Sequence, residues 1–200
     1  MRLGRVEVSG GFLLLLAWLN YTDTQGLIPA AVISCGLHEG GHWLAIQAVG
    51  GEVGRMRLGI AGAEMELRRP LSYPREALCA LAGPGVSLAL AWLGHMLPGG
   101  ALFAGINLVL ALFNLLPVSG LDGGRALNCA LCALCGPEAA ERIAGLLDGF
   151  LVGALVAGGV ILAWNGGSIT LFFTAGWLFS SIWREKEGKR GCQIGGKRVK

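Results

Sequence analysis

Apolar residues run almost unbroken through six stretches of this chain, about 8–21, 27–49, 76–97, 101–116, 143–164 and 168–183. Spanning the hydrocarbon core of a bilayer takes about 20 such residues as a helix. The pattern therefore predicts an all-α polytopic membrane protein with about six transmembrane helices. Polar and glycine-rich breaks separate the runs: Asn20 with Thr22-Asp23-Thr24, then Gly50-Gly51, then Pro98-Gly99-Gly100. One interval follows a different period. Residues 52–70 alternate, as in Glu64-Met65-Glu66-Leu67-Arg68, on both sides of Gly59-Ile60-Ala61-Gly62. Period-two alternation around a glycine turn reads as a β-hairpin lying at the membrane interface. A solvated connecting loop is the plainer alternative.

A second interval is irregular. Leu116-Pro117-Val118-Ser119-Gly120-Leu121-Asp122-Gly123-Gly124-Arg125 places a proline and three glycines around one aspartate. Backbone of that kind is tolerated at membrane depth only when buried in protein or lining a wet cavity. Residues 126–142 read as a short helix and linker. Residues 1–183 thus form one membrane domain, followed by a basic, cytoplasmic tail at 184–200.

Charge supports this layout. Only 14% of the 200 residues are charged and 54% are hydrophobic, against roughly a quarter charged in soluble domains. With six spans, both termini and the loops at 50–75 and 117–142 share one side. All 16 Lys and Arg residues fall there, which the positive-inside rule makes the cytoplasm. The basic excess is thus a topology signal and gives no reason to expect nucleic acid. Six cysteines, mostly within apolar runs, do not resemble a secreted disulfide framework. Arg2 and Arg5 precede a leucine-rich run as in a signal peptide, but no small-residue cleavage site follows, so the run reads as a retained span.

The chemistry sits in the second span. Between Gly26 and Gly51 the one charged residue is Glu39, within His38-Glu39-Gly40-Gly41-His42. Histidines at i and i+4 share a helical face and can reach one metal ion, with the adjacent glutamate placed to deprotonate water. Ionisable groups at membrane depth are costly and point to function. A catalytic zinc needs a third ligand and an open position. His42 lies about 10 Å from the cytoplasmic end of its helix at 1.5 Å per residue. Asp122 follows the cytoplasmic end of span four, reaches a similar depth and is the natural third ligand. His95 lies near the opposite surface. Asn107 and Asn114 share a face of span four and should point into the bundle, Asn107 as helix–helix glue. Cys129, Cys132 and Cys135 recur at helical spacing among alanine and leucine, which favours packing over metal binding, with palmitoylation a further option.

His38-Glu39-Gly40-Gly41-His42, Ala82-Gly83-Pro84, Asn114-Leu115-Leu116-Pro117 and Leu121-Asp122-Gly123-Gly124-Arg125 together resemble the site-2 protease family of intramembrane zinc metalloproteases, peptidase family M50. The likeness spans roughly residues 10–183, and the six-span layout most resembles the stage IV sporulation protein FB subgroup. It implies Zn2+ held by His38, His42 and Asp122, with Glu39 activating water. It also implies a membrane-tethered protein substrate, cut near its cytoplasmic boundary to release a soluble fragment, with pro-sigma-factor processing as one outcome. Asn114 would donate to substrate backbone or to the developing oxyanion. The 52–70 hairpin would hold an unwound substrate as an added strand. The expected partners are the substrate, the bilayer and a membrane-protein regulator; the expected location is a bacterial plasma membrane. Ser87 stands where the family often has Asn, and Gly120 where it often has Pro. Two alternatives remain at this level, a zinc-binding membrane transporter and an inactive pseudoprotease scaffold.

Overall fold

The computed structural model describes residues 2–3, 6–59, 62–164, 176 and 182. Two short strands, β1 (Arg2–Leu3) and β2 (Val6–Val8), precede helices α1 (Gly10–Thr22) and α2 (Leu27–Ala48). The hairpin β3 (Val53–Gly59) and β4 (Gly62–Leu67) follows, then α3 (Tyr73–Met96), α4 (Ala101–Asn114), α5 (Asp122–Cys135) and α6 (Pro137–Trp164). The chain divides into two compact units, Met1–Leu115 and Leu116–Lys200.

In the first unit, β3 and β4 pair antiparallel within the alternating 52–70 interval, through Met56 with Met65 and Arg57 with Glu64. The sheet does not stop there. Val6, Glu7 and Val8 pair parallel to Met56, Arg57 and Leu58, giving the order β1-β2-β3-β4. The all-α expectation is corrected accordingly: the N-terminal residues form strands, and the first helix starts only at Gly10. Ser9 caps that helix, its Oγ accepting from the Phe12 N–H at 3.1 Å. Parallel strands require a crossover connection, and here α1 and α2 together supply it. Glu7 bridges to Arg57 at 3.4 Å and to Arg55 at 3.9 Å, stitching β2 to β3.

The helices of this unit invert the soluble pattern. Apart from Ile46, their buried positions are mostly small or polar, among them Ser34, Gly41, Ala80, Gly83, Ser87, Ala104, Asn107 and Ala111. Leu14, Trp18, Ile33, Leu44, Trp92, Leu93 and Val109 face outward. An apolar surface on that scale calls for lipid rather than water, and small residues let helices approach closely inside a bilayer. Asn107 does what span four promised: its Nδ2 donates to Ser34 Oγ at 2.8 Å, joining α4 to α2.

Two helices, Tyr73–Met96 and Pro137–Ile161, are long and apolar enough to cross a membrane. Helix α1 has 13 residues and α4 has 14, or roughly 20 Å each against a hydrocarbon thickness of about 30 Å. Six spans are thus not all established. The stretch 168–183, taken as the sixth, and the tail at 184–200 lie outside the described residues, save Gly176 and Ile182. In the second unit, residues 126–142 are not a short helix and a linker. They belong to α5 and to the start of α6, separated at Gly136, whose φ of 82° ends α5 before Pro137 opens α6.

Candidate metal centre

Helix α2 carries the centre because its buried stripe is Ser34, His38, Gly41, His42 and Ile46, one face at i, i+4, i+7 and i+8. His38 and His42 are 4% and 8% exposed. Each Nδ1 has its own anchor on α3. His42 Nδ1 lies 2.8 Å from the Cys79 carbonyl oxygen, and His38 Nδ1 lies 3.0 Å from Ser87 Oγ. A carbonyl only accepts, so His42 carries its proton on Nδ1 and presents a bare Nε2 when neutral. That nitrogen faces His38 Nε2 at 3.2 Å.

A proton or a cation must lie between two ring nitrogens so placed. Tetrahedral zinc with Zn–N bonds of about 2.0–2.1 Å sets its ligand nitrogens roughly 3.3 Å apart. The pair is therefore spaced for zinc. Anchoring the far ring nitrogen to fix tautomer and ring orientation is how metal-ligating histidines are held. The donor set fits the ion.

The Ala82-Gly83-Pro84 stretch finds its physical reason here. A Cβ at Gly83 would collide with the His42 imidazole, and one at Gly41 would press on Val86 Cγ2 at 2.8 Å and the Ala82 carbonyl at 3.1 Å. Both glycines are required by the close approach of α2 and α3 that seats the rings. Ser87, notable in the sequence only as a departure from the family pattern, is fully buried and holds His38. Its contribution could not be read from spacing, because it depends on how the two helices are rotated against each other.

Glu39 is half-buried beside His38. Asp122 opens α5 in the second unit and is 9% exposed. Among the described residues, one group of His, Cys, Asp or Glu side chains could hold a metal ion: His38, His42 and Asp122. The cysteine series is not such a group; Cys129 is buried, Cys132 intermediate and Cys135 exposed. Asn114 spends one amide hydrogen on its own helix, Nδ2 donating to the Leu110 carbonyl at 3.0 Å.

The loop before Asp122 is tightly folded. Val118 N–H donates to Leu116 O at 2.8 Å and Leu121 N–H to Val118 O at 3.0 Å, and a Cβ at Gly124 would strike the Val118 carbonyl. Gly120 has φ of +95°. Proline is locked near −65°, so this backbone excludes the proline common in the family, and the departure has a conformational basis.

No protein-family model matches the chain. It is 36% identical over 145 residues to the Synechocystis protein named "Putative zinc metalloprotease sll0528", covering 66% of this chain and 36% of that protein. It is 28% identical over 203 residues to the Mycobacterium tuberculosis protein named "Putative zinc metalloprotease Rip3", covering 92% and 48%. The chain thus spans less than half the length of these curated relatives. The solved site-2 protease from Methanocaldococcus jannaschii superposes with a TM-score of 0.69, over 92% of this chain and 93% of that one, at 20% identity. The chain has that protein's fold.

Proposed function

We propose that this chain is an intramembrane zinc metalloprotease of the site-2 protease family, cutting a membrane-tethered protein near its cytoplasmic boundary. The observation that carries the reading is the pair of buried, anchored Nε2 atoms at 3.2 Å on one apolar helix. The zinc metalloprotease names of the two relatives and the shared fold support it.

His38 and His42 would hold zinc through Nε2, with a carboxylate oxygen of Asp122 as third ligand. When bound, zinc supplies Lewis-acid chemistry: it polarises a peptide carbonyl and brings the pKa of water to about 7. Every other role belongs to the chain. Glu39 takes a proton from the attacking water as its oxygen bonds to the scissile carbonyl carbon. As the C–N bond breaks, Glu39 passes that proton to the leaving nitrogen, and the water's second proton, left on the new carboxylic acid, ionises to the amine, so a carboxylate and an ammonium result. Asn114 donates its remaining N–H to the carbonyl oxygen as charge builds there. The Ser87 and Cys79 anchors keep both rings in one tautomer and orientation throughout.

A helical substrate must unwind before its peptide bond is accessible. Strand β3 is flanked by β2 and β4, so the hairpin can receive an added strand only along β4. Charge bias supports cytoplasmic N and C termini. Assignment to the stage IV sporulation protein FB subgroup, with a pro-sigma factor as substrate in a bacterial plasma membrane, rests on the span layout and is the finest form of the proposal.

The test is co-expression with a membrane-tethered substrate, comparing wild type with Glu39→Gln and quantifying zinc in both purified proteins. Equal zinc with cleavage lowered about 10²–10⁴-fold is expected for loss of a general base. Loss of zinc from both proteins under non-chelating conditions rules out the site.

A further inference from the structure

Helix α6 carries Glu138 and Glu141 in its first turns and a third acid, Asp148, deep in the apolar run that follows. Asp148 lies eleven residues after Pro137, roughly 16 Å along the helix. It is 4% exposed, and in α6 only Ala140, Asp148 and Gly159 are buried among the described residues. One carboxylate oxygen, Oδ1, accepts the Ser119 backbone N–H at 2.8 Å. The other, Oδ2, is buried without a hydrogen-bond partner among the described residues.

The partner explains the cost. Residues 116–121 are irregular, and buried irregular backbone must have its N–H groups satisfied one by one. Val118 and Leu121 are satisfied within the loop, and Arg125 by the Leu121 carbonyl as α5 begins. Ser119 has no such turn partner, because Gly120 reverses the chain immediately after it with φ of +95°. Its N–H is taken by Asp148. Three residues later the same loop delivers Asp122.

We infer that Asp148 is a positioning residue: its carboxylate clamps the 116–121 loop through Ser119 and thereby sets the backbone from which Asp122 is presented. The inference rests on the proposed metal site for its consequence, and on the loop geometry alone for the clamp. It needs an acceptor at Asp148, not a charge, so an amide carbonyl in its place preserves the function.

The experiment uses the full chain in detergent micelles, as wild type, Asp148→Asn and Asp148→Leu. Amide hydrogen exchange is followed over 116–121 after chelation, and zinc affinity is measured by competition with a chromophoric chelator. The expected result is slow loop exchange in wild type and Asp148→Asn, and fast exchange in Asp148→Leu. Zinc affinity should fall about 10–100-fold in Asp148→Leu, the range for lost support behind a metal ligand, and stay near wild type in Asp148→Asn. Wild-type loop amides exchanging as fast as those of the Pro98–Gly100 turn would overturn the clamp without any variant. A folded Asp148→Leu with wild-type zinc affinity would overturn the link to Asp122. If wild type binds no zinc while Asp148→Leu still frees the loop, the clamp stands and the metalloprotease reading fails.

Discussion

At the scale of single residues, the centre depends on groups that are absent as much as on those present. Gly83→Ala drives a methyl into the His42 ring, and overpacking of this kind costs typically 1–3 kcal/mol. Zinc affinity, measured by chelator competition, should fall with it. Gly85 has open space where its Cβ would go, so Gly85→Ala should leave affinity unchanged. The Asn107–Ser34 bond gives a second prediction. A double-mutant cycle with Asn107→Leu and Ser34→Ala should return a coupling of about 0.6 kcal/mol, at most about 1.7, as for other hydrogen bonds between membrane helices. The two histidines were legible because an i, i+4 pair is a property of local sequence. Ser87 and Asp148 were not. Each acts through a partner that only the fold supplies, and at this scale a lone acid in an apolar run was an overlooked signal, since ionisable residues at that depth rarely lack a role.

Among the elements, α2 begins under a cap that responds to acid. Asp23 accepts from the Ile28 N–H at 2.8 Å and from the Gln25 N–H at 3.1 Å. These backbone bonds, the one to Ile28 first, hold its carboxyl below the usual value of 3.8. The folded pKa being the lower one, the stabilisation is complete above the unfolded value and is lost as pH falls through the folded pKa. The protection factors of the first amides of α2, exchange rates taken relative to the intrinsic rate at each pH, should therefore fall with acidification below about pH 4 in wild type, and show no such fall in Asp23→Ala. The hairpin was readable from its two-residue period. Strand β2 was not, because three residues carry too little pattern and their partners lie fifty positions away. The Gly136-Pro137 junction did carry a signal, a left-handed stop followed by proline at a helix start, which separates α5 from α6.

For the whole molecule, sheet pairing constrains topology more firmly than hydropathy does. Strand β2 precedes α1 and β3 follows α2, yet the two are hydrogen-bonded. The chain between them must cross the bilayer an even number of times. If α1 and α2 cross once each, α1's short length is met by tilt-free insertion and local thinning of the bilayer. In a cysteine-free background, a cysteine at Gln25 should then react with impermeant reagent only from the face opposite to one at Glu52; labelling of both from one side would remove this pair of spans. Bound zinc should also stabilise the fold by mass action, about 2.7 kcal/mol when free zinc stands at 100 times Kd. Chelation should lower the thermal midpoint of wild type and Glu39→Gln alike, and leave His38→Ala unmoved.

The parallel pairing of β2 with β3 also imposes an order on synthesis. Val8 must await Leu58, fifty residues later in the chain. At about 5–20 residues per second, the first strand waits roughly 3–10 s for its partner. During that interval Glu7 has neither Arg55 nor Arg57, and the two helices between the strands must enter the membrane without the sheet that later ties their ends together. Assembly of this corner of the molecule is thus paced by the ribosome.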